Sequence, residues 1–254
     1  MERKKIQRIK MIIAIAVILI ISTFIAIRII RYQKEGEKNM PFVLSKIIVI
    51  STVTPTTDNN QSEGNNVTLG DYNLIQNNDI YISFENKSNK NEKIKNVSIQ
   101  NIQILESPVT GNLKAYMPNS LDGKKYNYID DFLIKDSLTY RGADQNNFQN
   151  LQISKNGGNI GFSLANTEIG KYSSGEDTEV IYNGKMLSKL GIKDEDVKSK
   201  VSFDIIIELE DEKVYSGNIV LNINCDKLVE NGITQSEVTD FNNVIFKRIK
   251  KTLD

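Results

Sequence analysis

An apolar run near the start of the chain constrains the fold more than any other feature. Residues 11–27 carry no charge, and the run reaches Ile30 with Arg28 as its single interruption. A helix of this length extends about 30 Å, which matches the hydrocarbon core of a bilayer. A soluble core helix does not need an apolar surface this long and uniform. We therefore predict a transmembrane helix over residues 11–30, with the lipid bilayer as its partner.

The residues around this helix predict an uncleaved anchor with a cytoplasmic N-terminus. The uncharged part of the run ends in Phe24–Arg28, which lacks the A-x-A-like pattern of a signal-peptidase site. Five Lys/Arg precede the run and four follow it, so the positive-inside rule favours a cytoplasmic basic tail at residues 1–10. We expect residues 31–40 to form a short stalk. Residues 41–254 are then an extracytoplasmic domain at the cell membrane.

Composition and charge exclude several functional classes. The chain has no histidine and one cysteine, which excludes His-based triads, His metal ligands, intramolecular disulfides and CxxC redox pairs. Residues 1–38 hold nine Lys/Arg and three Asp/Glu, which leaves 23 basic and 29 acidic residues in the remainder. Nucleic acid binding needs a concentrated basic face, so this mildly acidic body argues against a nucleic acid partner.

The body alternates apolar and polar residues with the period of two that is typical of β-strands. The clearest unit is Val201–Ile223, where two alternating runs flank the turn residues Glu210–Lys213. A one-residue slip of this hairpin would bury Asp204 and Glu208, so its register is well specified. Many short strands with frequent turn signals predict an all-β ectodomain, a β-sandwich that is immunoglobulin-like in the broad sense.

Other segments carry weaker signals. Further strands are expected at 40–54, 79–85, 97–104 with a bulge before Ile102, 113–117, 151–154, 160–164, 180–182 and 243–249. Short helices are expected at 129–134, 185–190 and 193–200. A polar stretch at 55–66 has no large apolar residue and predicts a mobile loop. One sandwich with insertions is favoured over two lobes because no linker divides the later part of the body.

Sequence motifs for catalysis or cofactor binding are absent. The chain has no glycine-rich phosphate loop, no G-x-S-x-G elbow and no Ser-x-x-Lys pair. Cys225 has no histidine to activate it and is expected to be a structural thiol. The sequence therefore predicts a non-catalytic protein without a cofactor and nominates no catalytic, cofactor-binding or metal-binding residue.

Four acidic clusters are the remaining candidates for carboxylate chemistry: Asp130–Asp131, Glu176–Asp177, Asp194–Asp196 and Glu210–Glu212. A carboxylate pair hydrolyses a glycosidic bond only when a cleft positions it on both sides of that bond. None of the clusters has the spacing of an EF-hand calcium loop. We expect them to lie in solvated turns and at the starts of helices.

Three runs resemble segments of single-pass membrane proteins from the envelope of clostridia-like Gram-positive bacteria. They are Asn39–Val49, Leu74–Tyr81 and Phe246–Ile249. The resemblance extends over most of the chain and implies a location at the cell envelope. It implies no activity, cofactor or site residue.

A membrane-anchored extracytoplasmic module for binding or scaffolding is the function that these features favour. Antiparallel sandwiches have edge strands that can pair with another chain. The strand at Phe42–Val53, next to the membrane, is the expected contact for an envelope protein partner. Two alternatives stay open: a carboxylate-based hydrolase that acts on cell-wall glycans, and a membrane-tethered regulator that faces the cytoplasm.

Overall fold

A computed structural model gives the fold. It describes residues 2–38, 40–56, 71–87, 92–118, 133–141, 153–154, 157–173 and 183–250. Several predictions lie outside the described residues: the loop after residue 56, the helix at 129–134 up to residue 132, the strand at 180–182, residues 151–152, and the clusters Asp130–Asp131 and Glu176–Asp177.

Helix α1 covers Glu2–Glu35 and confirms the helix predicted over residues 11–30. Its stretch Lys10–Glu35 is long and apolar enough to cross a membrane, and the most apolar part of that stretch is not buried inside the chain. The helix also takes in residues 31–35 of the expected stalk, because no helix-breaking residue occurs before Gly36. The N–H of Gly36 donates to the carbonyl of Tyr32 at 2.9 Å, and its φ of +69° is the left-handed conformation that ends many helices.

Two antiparallel sheets follow the helix and confirm the predicted β-sandwich. In chain order the strands are β1 (Phe42–Thr56), β2 (Asp71–Asn86), β3 (Ile94–Glu106), β4 (Asn112–Tyr116), β5 (Ser137–Arg141), β6 (Ile153–Ser154), β7 (Gly157–Ser173), β8 (Ser199–Leu209), β9 (Val214–Ile223), β10 (Ile233–Val238) and β11 (Lys247–Ile249). The first sheet has the order β10-β1-β2-β7-β4, with β6 paired to β7, and the second has the order β11-β9-β8-β3-β5.

The β8–β9 hairpin has the register that its alternating pattern predicts. Val201 lies opposite Leu221 and Phe203 lies opposite Ile219, and all four side chains are buried. The ring of Phe203 meets that of Phe162 on the other sheet, with centroids 5.1 Å apart and planes at 78°. This edge-to-face contact joins the two sheets across the core.

The helices between the strands follow the predictions in part. Helix α2 covers Asn183–Lys189, close to the helix expected at 185–190. The helix expected at 193–200 is only a short 3-10 helix at Asp194–Val197, because strand β8 begins at Ser199. A further short helix, α3, covers Leu228–Asn231. The bulge expected in β3 is present as a shift of register between Gln100 and Gln103.

The last strand is shorter than the segment 243–249 that was expected. Only Lys247–Ile249 pairs with β9. Just before it, the ring of Phe246 lies over Gly217, where an added Cβ would stand 2.8 Å from Phe246 Cε1. The ring of Phe246 thus packs on the face of β9 at Gly217, one residue before the pairing of β11 begins.

Strand β1 corrects the prediction of an edge strand at Phe42–Val53. It pairs with β2 along most of its length and also with β10 over Ile47–Thr52. The prediction is wrong for Ile47–Thr52, which β10 covers, whereas Phe42–Lys46 has only β2 beside it among the described residues. The six residues of β10 (ITQSEV) include only two large apolar side chains, too weak a pattern to indicate a strand.

Candidate functional site

The acidic clusters that the structure describes bind the protein's own backbone. The two carboxylate oxygens of Asp194 accept hydrogen bonds from the N–H groups of Lys227 and Val229 at 2.7 and 2.8 Å. Asp196 accepts from the N–H of Lys193 at 2.9 Å. The two bonds of Asp194 fasten the 3-10 helix to the segment after β9, and the bond of Asp196 lies at the start of the 3-10 helix itself. In the described part of the chain, no group of three His, Cys, Asp or Glu residues could hold a metal ion.

The cluster at Glu210–Glu212 lies in the turn of the β8–β9 hairpin. Asp211 pairs with the Lys213 ammonium at 2.6 Å and accepts from the Lys213 N–H at 3.2 Å. The hydrogen bond from the Lys213 side chain holds the pKa of Asp211 below its usual value. Its carboxylate is therefore ionised and engaged at neutral pH, which suits a turn better than proton transfer.

Cys225 lies in the core rather than at the surface. Its side chain is buried, and its Sγ accepts a hydrogen bond from Gln76 Nε2 at 3.0 Å. Burial raises the pKa of the thiol to about 11, so it is protonated at neutral pH. A protonated and buried thiol is a poor nucleophile, in agreement with the structural role predicted for it.

Amide side chains around this thiol form a buried polar cluster that sequence reasoning missed. Asn78 Oδ1 accepts from Ser51 Oγ at 2.6 Å and from Gln76 Nε2 at 3.0 Å. Asn166 Nδ2 donates to Gln76 Oε1 at 3.2 Å. These contacts tie β1, β2 and β7 together inside the sandwich. The cluster therefore fixes strand positions and offers no surface to a ligand.

Part of the β9 edge in the second sheet lacks a strand partner, as do the outer edges of the terminal strands β5 and β11 in the described part of the chain. Among the described residues, β9 pairs with β8 along its whole length but with β11 only over Val214–Ser216. Gly217–Ile223 therefore has a strand on one side only. The outward side chains on this part are Asn218, Val220 and Asn222, all exposed and uncharged, with Val220 54% exposed. An edge without charge or proline is a template for pairing with another chain.

A groove of about 560 Å³ runs beside this edge. One wall consists of Ser216 and residues 218–221 of β9 with Asp204 of β8, and the opposite wall includes Ile47 and Val238 of the first sheet. The segment between β10 and the end of β11 supplies the remaining lining. The groove therefore opens between the two sheets, and its size is within the range of ligand-binding clefts.

A second groove, of about 650 Å³, lies where helix α1 meets the sandwich. Its lining combines charged residues at and just after the end of the helix, such as Glu35 and Lys38, with apolar ones, such as Met40 and Phe241.

The residues that line both grooves come from segments that are far apart in the chain. Sequence patterns held no signal for either groove, because each strand pattern reports only which residues face a core.

Direct contacts form a junction between residues 32–38 and residues 245–248. The N–H of Glu37 donates to the Phe246 carbonyl at 2.8 Å, and the N–H of Arg248 donates to Tyr32 Oη at 2.8 Å. Lys247 Nζ donates to Gln33 Oε1 at 2.5 Å. The helix is thus fastened to the last strand of the sandwich.

No protein-family model, curated protein or solved structure matches the chain.

Proposed function

We propose that the protein is a membrane-anchored extracytoplasmic binding module that captures an extended segment of another envelope protein. Capture takes place along Gly217–Ile223, the open part of the β9 edge. The observation that carries the proposal is this edge, which has a strand on one side only among the described residues and borders a groove of about 560 Å³.

The captured segment adds to the second sheet as a further strand. Seven residues of β9 offer about 20 Å of edge, enough to hold a segment of similar length by main-chain hydrogen bonds. Every second side chain of the segment points between the sheets, toward Ile47 and Val238. The partner sequence should therefore carry apolar side chains at alternate positions.

The module acts by binding and not by catalysis. Asp194, Asp196 and Asp211 are already engaged in hydrogen bonds within the chain, which disfavours the glycan hydrolase. The larger number of Lys/Arg before the apolar run than after it supports the extracytoplasmic location. It separates this proposal from a regulator that faces the cytoplasm.

Thiol labelling tests the location. The variant combines Cys225→Ala with Val109→Cys, because Val109 is 78% exposed and the chain has no other cysteine. We expect a membrane-impermeant maleimide to label intact cells. Labelling only after lysis would place the sandwich in the cytoplasm and contradict the envelope proposal.

Site-specific photo-crosslinking tests the capture. A benzophenone amino acid at Asn222 should form an adduct with a distinct envelope protein in intact cells. Adding Val220→Lys should abolish that adduct, because a lysine on an open edge opposes strand pairing. The matched control is Val109→Lys, which makes the same substitution at a 78% exposed site outside the groove and should leave the adduct intact.

Two results would contradict the capture. Adducts that survive Val220→Lys would mean that the partner does not use the edge. An adduct with twice the mass of the chain would mean that a second copy, and not another envelope protein, pairs there.

A further inference from the structure

We propose that the end of helix α1 and the last strand together form a basic collar that binds the anionic lipid headgroups of the membrane. The collar consists of Arg28, Arg31, Lys34, Lys38, Lys247, Arg248 and Lys250. The inference rests on the membrane anchor of the proposed function and is independent of capture by β9.

The junction brings the two halves of the collar together although they lie more than 200 positions apart in the chain. Arg248 N–H bonds to Tyr32 Oη across 216 positions, and Lys247 Nζ bonds to Gln33 Oε1 across 214 positions. The bond from Glu37 N–H to the Phe246 carbonyl, at 2.8 Å, adds a third contact. Strand β11 is therefore held beside the helix.

The height of these contacts along the helix places β11 at the membrane surface. The apolar run ends at Ile30, and Tyr32 and Gln33 follow two and three residues later. At a rise of about 1.5 Å per residue, they lie about 3–5 Å beyond the hydrocarbon core. The headgroup layer is about 5–7 Å thick on each side. A strand bonded to Tyr32 and Gln33 therefore lies at headgroup level.

The charge of the collar is positive on balance, although the acidic turn before Val214 lies beside Ile249 and Asp211 acts on Arg248. Residues 28–38 contain four Lys/Arg and two Glu, and residues 247–250 contain three Lys/Arg and no acidic residue. Glu35 pairs with Lys38 at 2.7 Å, so these two residues together contribute no net charge to the collar. Basic residues close to a bilayer are attracted to anionic headgroups. Negative charge in the membrane would thus complement the collar.

The form of the collar favours a lipid surface over a single phosphate ion. Arg28, Arg31, Arg248 and Lys250 are exposed and belong to two elements, so their charges are spread around the helix. Ile249, between two of these cations, is 39% exposed and adds an apolar contact at the same level. A charged surface that surrounds a membrane helix can contact several headgroups at once.

Hydrogen exchange of the full chain in lipid nanodiscs tests the collar. One set of discs contains phosphatidylcholine alone, and the other is enriched in phosphatidylglycerol. We expect the amides of residues 244–250 to exchange at least about fivefold more slowly in the anionic discs, since one basic residue at a charged surface contributes about 1 kcal/mol, a factor of about five. Raised salt should remove the difference, because exposed charges are screened.

Substitutions identify the residues responsible. The variant Lys247→Gln/Arg248→Gln/Lys250→Gln should exchange equally in both lipids. The matched control, Lys171→Gln/Lys189→Gln/Lys193→Gln, removes three exposed lysines elsewhere in the sandwich and should keep the difference. Unchanged exchange in the β8–β9 hairpin checks that both variants are folded.

Three results would overturn the inference. Equal exchange of the wild type in both kinds of disc would mean that the collar does not bind anionic lipid. Slow exchange in phosphatidylcholine discs after addition of soluble glycerol phosphate would indicate a site for a free phosphate. Failure of the chain to enter discs would remove the anchor and the proposed function with it, whereas equal exchange in inserted protein would overturn the collar alone.

Discussion

Substituting Gly36 by alanine should open the junction between the helix and the sandwich. Gly36 is buried with a φ of +69°, and an added Cβ would stand 2.5 Å from the Phe246 carbonyl oxygen and 2.6 Å from Ile245 Cγ2. Left-handed backbone costs an alanine about 1 kcal/mol. The collision requires Phe246 to retreat by about 1 Å, which breaks the hydrogen bonds of the Glu37 and Arg248 N–H groups at about 1 kcal/mol each.

Together these costs amount to about 3 kcal/mol, or more than a hundredfold in the equilibrium between closed and open junction. Hydrogen exchange of the full chain in nanodiscs measures this directly, because the Glu37 and Arg248 amides are donors within the junction. We expect both amides to lose about a hundredfold in protection. The amides of the β8–β9 hairpin should be unchanged, since the core lies elsewhere.

Gly191 provides the matched control. It has a φ of +73°, but an added Cβ would meet no atom within 4 Å. Gly191→Ala therefore carries the same backbone strain without a collision and should leave the junction amides protected. If Gly36→Ala also left the Glu37 and Arg248 amides protected, the close approach of Gly36 to Phe246 would not be what holds the junction closed.

Three further predictions concern stability. Phe203→Ala should lower the free energy of unfolding by about 3–5 kcal/mol, because it empties a fully buried site between the sheets. Urea titration of the detergent-solubilised chain measures this loss. In the same titration Val220→Ala, at a 54% exposed site, should change the free energy of unfolding by less than about 0.5 kcal/mol. Folding raises the pKa of Cys225 from 9.0 to about 11. The contribution of the neutral thiol to the free energy of unfolding is therefore fully present below pH 9 and is lost as the pH rises toward 11. Cys225→Ala should lack this part of the decrease in the free energy of unfolding at alkaline pH. Asp194→Ala should speed exchange of the Lys227 and Val229 amides by removing their acceptor, whereas Glu195→Ala, one position away, should not; equal effects would contradict this role.

The β8–β9 hairpin was predictable because its inward residues repeat strictly at every second position. That pattern specifies both the strands and their register, since a slip of one residue would bury Asp204 and Glu208. The long apolar run specified α1 in the same way, by its length. Where one physical requirement governs a whole segment, the sequence alone is enough to predict the secondary structure of that segment.

Strand β10 and the grooves were not predictable from such patterns. The alternating residues of β10 have mixed polarity, so its pairing with β1 depends on contacts between segments that are far apart in the chain. The open edge of β9 depends on where β11 stops, and β11 pairs over only three residues of β9. Periodicity describes the faces of a strand but contains no information about its edges.

The place of β1 between β2 and β10 has a consequence for synthesis. Ile47 pairs with Val238, so β1 leaves the ribosome about 190 residues before its second partner, which at 5–20 residues per second is on the order of ten to forty seconds. Throughout that interval the nascent chain presents β1 as an open edge next to helix α1. An assembly factor or a neighbouring nascent chain thus has a window for contact that closes when the last strands are made.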